Sequence, residues 1–139
     1  MGRLLDASVL VAAFSRESAS DQAMALLTGE SQPMVHALGL TETRISLIRK
    51  RKRGEMMADE VQRALAELTR SIADGLVAVI PEPAGLWDEA VRIADRVSVH
   101  LRTADALHTA WAHLTGHGLA TFDGDLAAAA RDEGVDVVP

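Results

Sequence analysis

The chain contains no cysteine. Disulfides, thiolate nucleophiles and cysteine-based zinc sites are therefore excluded, and a reducing compartment fits. Aromatic residues make up only 3% of the 139 residues, with no tyrosine, so any core must be assembled from Leu, Ala, Val and Ile. Hydrophobic residues still reach 48%, enough for a globule and too many for a disordered chain. No stretch approaches the length of a membrane span. The short apolar run LLDASVLVAAF near the amino terminus is broken by Asp6 and does not have the form of a signal peptide. A cytoplasmic protein with one domain over residues 1–139 is the expectation.

Positive charge is also in short supply. Fourteen Lys and Arg face twenty Asp and Glu, a formal net charge of −6. That balance argues against a general nucleic-acid coat protein, which is normally basic. It leaves room for an enzyme that handles nucleic acid through a local basic patch and a metal. The scarce cations are in fact clustered, with five consecutive at Arg49, Lys50, Arg51, Lys52 and Arg53.

The hydrophobic pattern alternates between short apolar runs and amphipathic stretches. RLLD (3–6), MVHAL (34–38), LVAVI (76–80), GLATF (118–122) and VDVV (135–138) have the form of strands. Segments 18–29, 39–53, 55–75, 85–98, about 103–115 and 125–134 have helical spacing; SVLVAAFSR (8–16) fits either a strand or a helix. In 55–75, Met57, Val61, Ala64, Leu65, Leu68 and Ile72 recur at i, i+3, i+4. In 85–98, Leu86, Ala90, Ile93, Ala94 and Val97 share a face. Strands alternating with helices make an α/β layer fold around a mostly parallel sheet.

In such a sheet ligands bind beyond the carboxyl ends of the strands. Asp6 and Asp123 stand at strand ends. Thr103 as a cap puts Asp105 in a first helical turn, and a helix beginning at Gly39 or Thr41 does the same for Glu42. Four carboxylates are thus aimed at one rim from four distant positions. Close together they repel, and a hard divalent cation removes the conflict; Mg²⁺ and Mn²⁺ take carboxylate oxygens and keep waters elsewhere in their shells. Each acid also has a plainer explanation. Asp105 and Glu42 suit a helix dipole, Asp123-Gly124 is a turn dipeptide, and Asp125 is a natural cap. Asp6 is the hardest to dismiss, since an acid amid apolar residues needs a partner.

DASVLVAAF (6–14), TETRISLIR (41–49), LRTADALHTAWA (101–112) and LATFDGDLAAAARDEGVDVV (119–138) together resemble the PIN-domain nucleases, and more narrowly the VapC-type ribonuclease toxins of toxin–antitoxin pairs. The resemblance covers essentially the whole chain. It implies a five-stranded parallel sheet of order 3-2-1-4-5 with helices on both faces. It implies a Mg²⁺- or Mn²⁺-dependent endoribonuclease in which Asp6, Glu42, Asp105 and Asp123 are the four catalytic, metal-holding acids. Ser8 and Thr121 match hydroxyl positions near the acids and are given supporting roles. Asp125 competes with Asp123 for the fourth place; Asp123 directly follows Thr-Phe and is favoured. Cleavage leaving a 3′-hydroxyl and a 5′-phosphate, a VapB-type antitoxin, a homodimer and a heterotetramer or larger assembly with the antitoxin are also implied. Ala7, where Thr is common, is a familiar variant.

Arg44, Arg49, Arg51, Arg53 and Arg102 are the candidate RNA contacts, set against the bland reading that cations simply suit a helix C-terminus. His113 and His117 are separated by a helix-ending Gly116, so the histidines do not form a zinc site. His108 reads first as a packed core histidine, and Trp87 and Trp111 as core or interface. The rival readings are a PIN-like module that binds RNA or a partner without catalysis, and a receiver-type phosphoacceptor domain. The first would be marked by loss of an acid. The second needs an acidic pair at the first strand and a late Lys, but no Lys follows Lys52.

Overall fold

The computed structural model describes residues 1–139. Its centre is a parallel sheet of five short strands: β1 (Arg3–Leu5), β2 (Pro33–Val35), β3 (Ala78–Val79), β4 (Gly118–Ala120) and β5 (Val137–Val138). The order is β3-β2-β1-β4-β5, as expected from the resemblance. Leu4 pairs with Met34 on one side and Leu119 on the other; Leu5 pairs with Ala120.

Strand alternation sorts the core into two faces. Leu4 and Leu119 point to one side, where they meet α5 (Leu86–Arg96), α6 (Thr103–Thr115) and α7 (Gly124–Asp132) through Ile93, Ala110, Trp111 and Leu126. Leu5, Val35 and Ala120 point to the other and meet α1 (Ala7–Phe14) and α2 (Ser20–Thr28) through Leu10 and Leu27. A smaller cluster of Val11, Leu47, Val61 and Ala64 joins α1 to α3 (Ala37–Lys52) and α4 (Ala58–Ala73). Leu and Ala supply most of these contacts, as the shortage of aromatics requires.

Several boundaries differ from the sequence expectation. The ambiguous segment after Asp6 is helix α1, because Asp6 caps it by accepting from Val9 N–H at 3.2 Å. The stretch 34–38 is strand only to Val35. His36 is the N-cap of α3, its ring accepting from Gly39 N–H, so the helix starts at Ala37 and Glu42 lies in its second turn rather than its first. LVAVI forms only a two-residue edge strand, and its Val79 is exposed. Met57 is the exposed N-cap of α4, not part of its buried stripe, and Ala94 is exposed on α5. Arg102, not Thr103, occupies the cap position of α6.

Candidate active site

The order of the sheet reverses at β1, so the loops after β1 and β4 diverge and open a crevice at the carboxyl edge. A cleft of about 470 Å³ lies there. Asp6, Glu42, Asp105 and Asp123 all line it. They arrive from the end of β1, the second turn of α3, the first turn of α6 and the cap of α7.

Asp6 is 5% exposed and held from both sides. Ser8 Oγ donates to Oδ1 at 2.5 Å and itself accepts from Phe122 N–H at 2.9 Å. Thr121 Oγ1 donates to Oδ2 at 2.5 Å and accepts from Asp123 N–H at 3.0 Å. Two backbone N–H groups of the β4–α7 connection are thereby relayed through two hydroxyls onto the two oxygens of one carboxylate. This locks the loop carrying Asp123 against the residue ending β1. Burial pushes the Asp6 carboxyl above its usual value; the Ser8 and Thr121 hydroxyls and the Val9 N–H pull the other way without cancelling it.

Asp105 is 6% exposed and meets Arg102 Nε at 3.1 Å. Arg102 also reaches Asp123 at 3.4 Å, so one exposed guanidinium bridges two acids of the cleft. Its pKa is raised, first by the hydrogen bond to Asp105 and then by the charges of Asp105 and Asp123. Asp123 accepts from Asp125 N–H at 2.9 Å and Leu126 N–H at 3.1 Å, capping α7. The cap is thus Asp123, while Asp125 is an exposed residue of the first turn that does not line the cleft. Glu42 is half-buried and hydrogen-bonds His108 Nε2. His108 is a core residue, 3% exposed, and also a polar partner of the site.

The basic run divides by helical geometry. From Glu42, positions 46, 49, 50 and 53 fall on one side of α3, and Ser46, Arg49, Lys50 and Arg53 line the cleft. Arg44 and Arg51 fall on the opposite side and do not line it. Lys50 binds Glu17 at 2.8 Å, and that hydrogen bond raises its pKa. Glu17, Ser46 and His36 carried no sequence signal; the first two are unremarkable surface residue types, and the third acts through a contact 72 residues away. Thr121 stands behind Asp6 rather than in the cleft wall.

Carboxylate oxygens are hard donors, and this donor set fits Mg²⁺ or Mn²⁺ better than a softer ion. A second cluster, Glu89, His113 and Glu133, sits where the first turn of α5 meets the far ends of α6 and α7. Arg92 and Arg96 pair with its carboxylates, and Glu133 is bound by both.

The family model for the PIN domain matches residues 3–132. The chain belongs to the PIN-domain family. Solved structures share the fold of this PIN domain at low identity. PAE2754 from Pyrobaculum aerophilum superposes with a TM-score of 0.72 at 22% identity, covering 99% of this chain and 84% of that one. VapC20 of Mycobacterium tuberculosis, described as a sarcin-ricin loop cleaving toxin, gives 0.71 at 21%, covering 92% and 95%. VapBC2 from Rickettsia felis, solved with a DNA fragment from their promoter, gives 0.71 at 13%, covering 99% and 98%. No curated protein matches the chain. No helix of this PIN domain is long and apolar enough to cross a membrane.

Proposed function

We propose that this PIN domain is a metal-dependent endoribonuclease, the toxin of a toxin–antitoxin pair acting in the cytoplasm. The observation that carries the proposal is the convergence of four carboxylates, from four distant positions, on one cleft flanked by Arg49, Lys50 and Arg53. Membership of the family supports a nuclease. The likeness to VapC20 and to VapBC2 supports the toxin assignment and a VapB-type antitoxin partner. A homodimer, and a heterotetramer or larger assembly with the antitoxin, belong to the same proposal.

Asp6, Glu42, Asp105 and Asp123 would hold the cation directly or through water. A bound Mg²⁺ or Mn²⁺ supplies an activated water and neutralises charge building up on the phosphate. The chain's own residues do the rest. Ser8 and Thr121 keep both oxygens of Asp6 fixed at the cleft wall. The cationic side of α3 takes the phosphates on either side of the scissile bond. Arg102 neutralises Asp105 and Asp123 in the free protein; being exposed, it can leave them for an RNA phosphate when a cation takes its place.

The test is cleavage of total cellular RNA by purified, antitoxin-free protein with Mg²⁺ or Mn²⁺, with EDTA, and with Asp105→Asn. The expected outcome is discrete fragments ending in 3′-hydroxyl and 5′-phosphate, lost with EDTA and with the variant. Fragments that persist in both controls would refute the assignment. RNA binding without cleavage would favour the non-catalytic module.

A further inference from the structure

We infer that His36 and His108 form an ordered hydrogen-bond relay that positions Glu42 in the cleft, a role that rests on the cation site proposed above. The order follows from a single backbone group. Gly39 N–H donates to His36 Nδ1 at 3.2 Å, so that nitrogen carries no proton. A neutral His36 then has its proton on Nε2, which lies 3.1 Å from His108 Nδ1. His108 Nδ1 is thereby an acceptor, and the proton of a neutral His108 is on Nε2, facing the Glu42 carboxylate.

The surroundings hold each member in place. His36 and His108 are 1% and 3% exposed. The His36 ring stacks on Trp111 at 3.9 Å and 10°, and the Trp111 indole donates to Pro81 O at 3.2 Å. Burial, with the neighbouring His108 adding to it, lowers the His36 pKa to about 3, which keeps its ring neutral.

Mere packing would not need the last link. Glu42 sits on α3 and Asp105 on α6, and the two acids must converge although their helices are separate in sequence. His108 is one turn beyond Asp105 on α6, and Glu42 makes its one side-chain hydrogen bond to it. The relay therefore ties the α3 acid to the α6 acid. It also fixes a long, half-exposed side chain whose freedom a cation would otherwise have to remove on binding.

Two readouts on the full chain test this. The first is long-range ¹H–¹⁵N correlation of the histidine rings in metal-free protein. Both His36 and His108 are expected to carry the proton on Nε2; a proton on Nδ1 of either ring overturns the order. The second is Mn²⁺ affinity by calorimetry. His108→Leu is expected to bind about 10–100-fold more weakly. His108→Gln, whose amide can still donate to Glu42, is expected to recover most of that loss. In a Glu42→Gln background, His108→Leu should cost nothing further, because the residue acts through Glu42. A folded His108→Leu protein with wild-type affinity, or an undiminished loss in the Glu42→Gln background, overturns the positioning role. If the wild-type chain itself binds no Mn²⁺, the cation site fails and the positioning role fails with it, whereas the ring protons judge the relay's order separately.

Discussion

Asp123 does two jobs on this reading, and a substitution series separates them. Its carboxylate caps α7 through Asp125 and Leu126 N–H, and it is also the proposed fourth acid. Asp123→Ala removes both roles. Loss of such a cap costs about 1 kcal/mol. An unfolding entropy of about 2.1 cal/mol/K per residue, over 139 residues, amounts to about 0.3 kcal/mol/K. The alanine variant should therefore melt about 3–4 °C below wild type. Asn caps as well as Asp, so Asp123→Asn should melt within about 1 °C of wild type. It should nevertheless lose at least about tenfold in metal-dependent cleavage, because a neutral amide is a poor ligand for a hard cation. The assays are thermal unfolding by circular dichroism and initial rates of fragment formation at fixed Mn²⁺. Wild-type cleavage by Asp123→Asn would reduce Asp123 to a cap and reopen the place of the fourth acid. A melting temperature for the Asn variant as low as that of the Ala variant would refute the cap reasoning instead.

Three further outcomes are expected. Arg49→Ala and Arg53→Ala should each flatten the log–log salt dependence of RNA binding by about 0.7, whereas Arg51→Ala, on the opposite side of α3, should leave it unchanged; equal slopes for all three would remove the cleft from the RNA path. Below its ordinary pKa of 6.5, His36 takes up a proton when unfolded but not when folded, because its folded value is depressed to about 3. Stability from this group is therefore full above pH 6.5 and is lost as pH falls toward 3, with a slope of about 1.4 kcal/mol per pH unit that urea titrations should find absent in His36→Asn. Ile93→Ala, at a fully buried position of α5, should cost about 3 kcal/mol, or about 10 °C, with cleavage retained at temperatures where it is folded; a change under about 1 kcal/mol would contradict the packing described.

The sequence made the architecture legible because alternating apolar runs and amphipathic stretches leave few layer arrangements. Asp6 and Asp123 could be placed because each directly follows a short apolar run, although β4 itself ends at Ala120 and Asp123 caps α7, and Asp105 because it interrupts an apolar helix. The start of α3 was not legible. Its cap is a histidine, outside the usual set of small polar caps, so a helix beginning two or more residues later was the natural expectation. The strands proved shorter than their apolar runs, since residues such as Phe122 and Ile80 pack on the core from loops. The split of the basic run needs the helical phase of α3 relative to Glu42. The contact of His36 with His108 needs three dimensions, because no periodicity links residues 72 apart.

The two outer strands, β3 and β5, are each two residues long. A strand of that length offers an incoming peptide too few free backbone groups to extend the sheet, which is how many proteins keep their sheets from polymerising edge to edge. Strand addition is thereby disfavoured at both edges, which leaves the side chains of the helices as the larger surface for association with another chain.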